Sequence, residues 1–390
     1  MSEYKKNIIT ASLIILFTFL LSTILVKKIP SMPVISDSED YHTIAVSIIE
    51  GNGYPAVANK TLLIYPPFYP LFITAIYILT SIGSYVSIYF VQYIIVGLTS
   101  IVLFFILRNF AKAPFLLSLF SSLCVLFWPY LILYSQLVSS EVLYTFLLLF
   151  FFFLFFGIKK DSPVWMVLAT GVILGVTILT RPVALLLFPW ILIALFLTSK
   201  IPHLFVVPEI PWKKYFLILI ISLATLLPWE FYVYKHYQEI IPVASNLGNV
   251  FSKANKTFEY LPETEKPSIL KAKIKNLYLF WDPGADGYHV DIVKEKYPAL
   301  SFGILLYKIL FFIILFTAGV TSVVYRKNRL VLYSVITITY TWAVHTVLFP
   351  FPRYTLPIMP FVIIVAVIGI IHLSKILNKN NENTSSHPIS

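Results

Sequence analysis

Long apolar runs separated by short polar breaks set the pattern of this chain. Crossing a membrane takes about 20 consecutive apolar residues, somewhat fewer or more with tilt. Runs of that kind cover 8–26, 85–107, 114–131, 139–156, 164–180, 183–198, 215–231, 302–324, 330–348 and 354–374. The pattern predicts an all-α polytopic membrane protein with about ten transmembrane helices. An eleventh apolar run, 68–82, reaches only about three-quarters of spanning length.

The stretch 35–54, ISDSEDYHTIAVSIIEGNGY, interrupts the apolar pattern directly after the first run. Its spacing predicts a short amphipathic helix along the membrane surface, with Tyr41, Ile44, Ala45 and Ile48 on one face and His42, Ser47 and Glu50 elsewhere. Asp37 is placed to cap that helix, Glu39 and Asp40 fall in its first turn, and Gly51 is placed to end it.

Charge decides how the runs cross. With the N-terminus inside, ten spans put Arg108 and Lys112, Lys159 and Lys160, Lys200 with Lys213 and Lys214, Arg326 with Lys327 and Arg329, and Lys375 with Lys379 inside as well. Every short basic loop then follows the positive-inside rule, with Lys27 and Lys28 as the exception. Counting 68–82 as a full span would invert all later loops, so it is expected to lie in, or dip into, the outer face. The acid cluster, Glu141, Arg181, the long polar segment and Arg353 then share the outer side.

Composition sharpens this picture. The 390 residues are 58% hydrophobic and 12% charged, which excludes a soluble globular chain. The net charge of +11 comes from basic residues at the ends of apolar runs, so no nucleic-acid partner is expected. A single cysteine, Cys124, excludes an intrachain disulfide. The first run is too long for a typical signal peptide and is expected to be a retained anchor. The expected organisation is a transmembrane catalytic module over 1–231 including a first outer loop at 27–84, an outer polar loop or small subdomain at 232–301, further transmembrane helices at 302–374, and a disordered inner tail at 375–390.

Acids are costly beside lipid, so Asp37, Glu39 and Asp40 mark a candidate site, although first-turn acids on any surface helix have the same spacing. Carboxylates held close raise one another's affinity for protons, which suits a general base, and Asp37 and Asp40 are the catalytic candidates. Arg181, in LTRPVALLLFPW, and Arg353, in FPRYTLPIMP, each precede proline-framed helix starts, and a guanidinium offers paired donors to a phosphate oxygen. Tyr354, Glu141, Lys60 and Tyr65 of the YPPFYP turn complete the substrate- and phosphate-binding candidates. The plainer readings are headgroup anchors for the arginines and an aromatic-belt turn for YPPFYP. WDPGADGYHVD fails the calcium-loop pattern at Gly284 and Val293 and reads as a solvated loop, and His345 reads as an interior histidine. There is no phosphate-binding glycine loop, HExxH or nucleophile elbow. No cofactor is required by the sequence, and no pattern supports a divalent metal.

Six stretches carry a resemblance in order: SDSEDYHTIAVSIIEGNGY, YPPFYPLFITAIY, SSEVLYTFLLL, LTRPVALLLFPW, LLPWEFYVYKHYQEIIPVASN and FPRYTLPIMP. Together they touch most of the chain, which resembles the C-type (GT-C) glycosyltransferases that use polyprenyl-phosphate sugars, especially the protein O-mannosyltransferase and aminoarabinose-transferase-like group. The resemblance implies a GT-C bundle with surface helices in the first outer loop. It also implies an acid of that loop, matching Asp37, as catalytic base, with Ser38 standing where many members carry a second acid. The arginines of the later outer loops match Arg181 and Arg353. The expected function is transfer of a sugar, with inversion, from a polyprenyl-phosphate donor to a lipid, glycan or protein acceptor at the outer face of the cell membrane. A flippase for lipid-linked sugars would want polar residues deep in several spans, and a non-catalytic membrane subunit would tolerate Asp37→Asn.

Overall fold

The computed structural model describes residues 2–28, 37–55, 65–201, 210–241, 243–244, 269–282, 300–348 and 351–385. Helices α1 (Glu3–Lys28), α2 (Asp37–Ile49), α3 (Phe68–Leu79), α4 (Tyr85–Asn109), α5 (Phe115–Leu126), α6 (Pro129–Ser135) and α7 (Glu141–Gly157) form the first half. They are followed by α8 (Val164–Thr180), α9 (Leu187–Ser199), α10 (Trp212–Tyr237), α11 (Ile269–Leu279), α12 (Leu300–Val324), α13 (Arg329–Val347) and α14 (Met359–Ser385). Short 3-10 turns, Pro182–Leu186 and Pro352–Ile358, lead into α9 and α14.

Among the described residues, seven helices are long and apolar enough to cross a membrane, or eight if α5 and α6 make one bent span. Helices α7 and α8, at 17 residues each, bring the tally to the expected ten; each is about 26 Å long, short of a full hydrocarbon core unless flanking residues help. At 12 residues, α3 falls well short, in keeping with the surface reading of 68–82. The protein is thus an integral, multi-pass membrane protein, and the outward residues of α1, such as Leu13, Phe19 and Leu20, are exposed apolar side chains suited to lipid.

Three boundaries differ from expectation. The run 114–131 is not one helix: α5 and α6 are bent by 44°. Pro129 pushes the preceding Trp128 into extended geometry, where it ends the first helix. Helix α10 continues through Tyr237, beyond the expected end at 231. Helix α14 runs to Ser385, so 375–385 is helical where disorder was expected.

Close approach of backbones holds α8 to α10. A Cβ on Gly171 would lie 2.7 Å from Ile221, and one on Gly175 2.5 Å from Thr225. Small residues let helices pack tightly where the hydrophobic effect between them is weak. A polar tie organises the end of the bundle nearest α2 and α3. Gln92 of α4 is fully buried; its amide donates to the carbonyls of Ser135 (3.1 Å) and Leu137 (2.6 Å), and its oxygen accepts from Tyr69 Oη (2.8 Å). It fixes the linker ahead of Glu141 against α3. Gln92→Leu strands three buried groups and should lower the unfolding free energy by about 1–3 kcal/mol. Thermal unfolding in detergent reads this, and an unchanged midpoint would show that the tie carries no stability.

Candidate active site

Helix α2 begins at Asp37, so this acid lies in the first turn of the helix rather than ahead of it. The expected apolar face forms: Tyr41, Ile44 and Ala45 are buried, with Ile48 partly so. Behind it, Gly51 adopts φ +80°, which favours glycine and ends the helix. The other side of α2 is also engaged, since His42 Nδ1 lies 2.9 Å from Tyr77 Oη. Burial lowers the His42 pKa, Glu39 opposing this only in part, which favours the neutral ring.

Asp37 is exposed and Asp40 half-buried. Between them stands Tyr65, its hydroxyl 2.7 Å from Asp40 Oδ2 and 3.2 Å from Asp37 Oδ1. Burial, then the Asp37 charge and the Asp40 contact, push the Tyr65 phenol above its ordinary value, so it stays a donor. Tyr65 is itself held from behind. Tyr54 Oη donates to the Tyr65 carbonyl (2.9 Å), the Tyr54 N–H donates to Tyr232 Oη (2.8 Å), and Tyr237 Oη donates to the Tyr54 carbonyl (2.7 Å). The C-terminal end of α10 thereby clamps the segment that follows α2.

A second charged group sits beside the first. Arg181 follows α8 in extended geometry because Pro182 excludes helix from the residue before it. Its guanidinium lies 2.8 Å from Glu141 Oε1 and donates to Ser140 Oγ at 3.3 Å. Arg353, in the 3-10 turn after Pro352, places Nε 3.7 Å from the same Glu141 oxygen. Tyr354 lies under both guanidiniums, at 5.3 Å from Arg181 and 5.2 Å from Arg353, and stacks on His345 at 3.9 Å. Burial works against the Arg181 charge, but the Glu141 carboxylate outweighs it, and the guanidinium stays firmly cationic.

One carboxylate thus faces two guanidiniums, leaving a net charge of +1 in the cluster. Among the described residues, the buried Arg353 Nε–H has no hydrogen-bond acceptor. The two groups are joined. Ser38 Oγ donates to the Val138 carbonyl (2.9 Å), seating the start of α2 on the linker before Glu141. Tyr41 lies within the influence of Asp37, Arg181 and Glu141, and burial followed by the Asp37 charge raises its phenol. An acidic group and a net-positive arginine group therefore stand side by side.

Of the residues singled out in the sequence, Asp37, Asp40 and Tyr65 meet in one group, and Glu141, Arg181, Arg353 and Tyr354 in the adjoining one. Lys60 and residues 283–291 of the WDPGADGYHVD loop lie outside the described residues. Glu141 is 4% exposed and is an anchor for the arginines, a pairing its isolated position in SSEVLY does not announce. Sequence reasoning missed Tyr41, Ser140 and His345 as members of the site. Among the described residues, no group of three or more His, Cys, Asp or Glu is arranged to hold a metal.

Residues 65–229 match the family model described as dolichyl-phosphate-mannose-protein mannosyltransferase. No curated protein matches the chain by sequence. Among solved structures, ArnT from Cupriavidus metallidurans bound to undecaprenyl phosphate is similar at TM-score 0.58 and 15% identity, over 95% of this chain and 61% of that one. The archaeal oligosaccharyltransferase AglB from Archaeoglobus fulgidus, in complex with an inhibitory peptide and a dolichol-phosphate, is similar at TM-score 0.60 and 13% identity, over 100% of this chain and 53% of that one. The present chain thus spans 61% and 53% of their lengths, and at these identities the likeness is one of fold. The chain therefore has the C-type (GT-C) membrane fold that these structures share, with a family match over residues 65–229.

Proposed function

We propose that the protein is a glycosyltransferase that moves a sugar from a polyprenyl-phosphate donor to an acceptor at the outer face of the cell membrane. The observation that carries this reading is the net-positive Arg181–Glu141–Arg353 cluster, with its unpartnered Arg353 Nε–H, beside the exposed Asp37. Asp37 takes the proton from an acceptor hydroxyl or amine as that group attacks the anomeric carbon. The bond from that carbon to the phosphate oxygen breaks, and its electron pair leaves with the polyprenyl phosphate. Arg181 and Arg353 stabilise the charge that grows there. Direct displacement inverts the anomeric centre.

A largely apolar groove of about 610 Å³, lined by Leu277, Tyr278, Trp281, Phe312, Leu315 and Trp342 with Asp282 also at its wall, is the candidate for the prenyl chain. Phe280, next to the lining residues in sequence, packs 6.2 Å from the His345 ring that stacks on Tyr354. The two structures of like fold hold undecaprenyl phosphate and dolichol-phosphate, which supports a lipid-phosphate donor here.

The test is a profile of polyprenyl-phosphate sugars by mass spectrometry in the native host, with and without the gene. Accumulation of one lipid-linked sugar in the deletion strain, cleared by complementation, is expected and identifies the donor. An unchanged profile with paralogues also removed would turn the reading toward transport or a structural role.

A further inference from the structure

We infer that Tyr65 is the positioning residue that ties Asp37 and Asp40 into one proton-accepting unit. The inference deepens the proposed function and rests on Asp37 acting as base. A phenol has one hydrogen to donate. The shorter approach, 2.7 Å to Asp40 Oδ2, takes it, and this leaves the Tyr65 oxygen facing Asp37 Oδ1 at 3.2 Å with lone pairs. Before reaction that contact sets two oxygens against each other. Once Asp37 has accepted a proton, the contact becomes a hydrogen bond from Asp37 to Tyr65. The geometry therefore stabilises Asp37 in its product state while Asp40 holds the phenol in place.

The proton balance is simple. The acceptor O–H or N–H bond breaks and its proton goes to Asp37. Asp37 then donates to Tyr65 Oη while the phenol hydrogen stays directed at Asp40, and loss of the proton from the exposed Asp37 to water restores the base. Exposure agrees with this division: Asp37 is open to an incoming acceptor and Asp40 is half-buried behind the phenol. Among the described residues, the charged groups around the pair are Glu39 on α2 and, across Tyr41, Glu141 and Arg181. The clamp from Tyr232 and Tyr237 through Tyr54 to the Tyr65 carbonyl holds the phenol in register with α2. The plainer role for Tyr65 is a wall residue, since its ring packs edge-on against Tyr41 at 5.1 Å. Phenylalanine keeps that wall and removes only the hydroxyl.

The full chain in proteoliposomes is treated with dicyclohexylcarbodiimide, which labels protonated carboxyls, and peptides carrying Asp37 and Asp40 are quantified across pH. Tyr65→Phe should move half-maximal labelling of Asp40 to higher pH and that of Asp37 to lower pH, because Asp40 loses a donor to its charged form and Asp37 loses an acceptor for its protonated form. In membranes of complemented deletion strains, donor-lipid turnover should fall roughly tenfold in Tyr65→Phe, within the reach of proton-transfer catalysis. The Tyr65→Phe/Asp40→Asn double variant should turn over no more slowly than Asp40→Asn alone, as expected of residues acting as a unit. Superimposed labelling curves, or losses that simply multiply in the double variant, would overturn the inference. If Asp37→Asn still turns over the donor, Tyr65 has no base to serve and the inference falls with the reading beneath it. If Asp37→Asn is inactive while Tyr65→Phe matches the wild type in both readouts, the inference falls alone.

Discussion

Asp37→Asn should reduce sugar transfer by roughly 100- to 10,000-fold, the range of a positioned general base, and should leave the folded protein intact. The two halves of that expectation come from one feature. Asp37 is exposed at the start of α2, so an isosteric amide disturbs no packing. The amide cannot accept a proton at neutral pH, so the acceptor must attack without a base. Asp40→Asn should cost less, because Asp40 is half-buried and its Oδ2 already receives the Tyr65 hydroxyl at 2.7 Å. The measurement uses donor lipid extracted from the deletion strain, incubated with purified wild type or variant at matched thermal midpoint, with release of polyprenyl phosphate followed by mass spectrometry. Turnover within threefold of wild type would make Asp37 an ordinary first-turn acid favoured by the helix dipole.

Much of this arrangement is legible in the chain because membranes constrain sequence strongly. Run length and the charge count together read 68–82 as lying in or dipping into the membrane face rather than spanning it, and α3 is only 12 residues long. The face of α2 that carries Tyr41, Ile44 and Ala45 follows from helical spacing, and Gly51 takes the positive φ its position suggests. Arg181 and Arg353 converge because each is set by a proline at the head of a 3-10 turn, a local signal. What the sequence hides is pairing. Nothing local says that Tyr65 bridges Asp37 and Asp40, since the phenol reaches α2 only through the tertiary clamp at Tyr54. Nothing local says that His345, which reads as a buried ring in an apolar helix, stacks under Tyr354 in the charged cluster. The 44° bend between α5 and α6 is masked for the opposite reason: unbroken hydrophobicity over 114–131 outweighs one proline in any count of apolar residues.

Removing the hub of the charged cluster should have the largest effect on stability, and the way it is rescued is diagnostic. Glu141→Ala leaves Arg181 and Arg353 without their shared carboxylate in a site where Glu141 itself is almost wholly buried. Breaking a buried ion pair by removing one partner costs several kcal/mol because the remaining charge is uncompensated. The guanidiniums keep 19% and 32% of their side-chain surface in contact with solvent. About 3 kcal/mol, the lower end of that range, is therefore expected. Glu141→Gln should lose less, because the amide oxygen still accepts from Arg181. An anion that binds between the arginines replaces the lost charge. Undecaprenyl phosphate, added without a sugar, should therefore raise the thermal midpoint of Glu141→Ala more than that of the wild type, since a ligand stabilises in proportion to its preference for the folded state. Tryptophan-fluorescence unfolding in detergent measures both quantities on the full chain. A Glu141→Ala midpoint equal to wild type would mean that the ion pairs carry no stability. Equal shifts from the lipid phosphate in both proteins would place its head away from Arg181 and Arg353, and the phosphate role proposed for that pair would have to be given up.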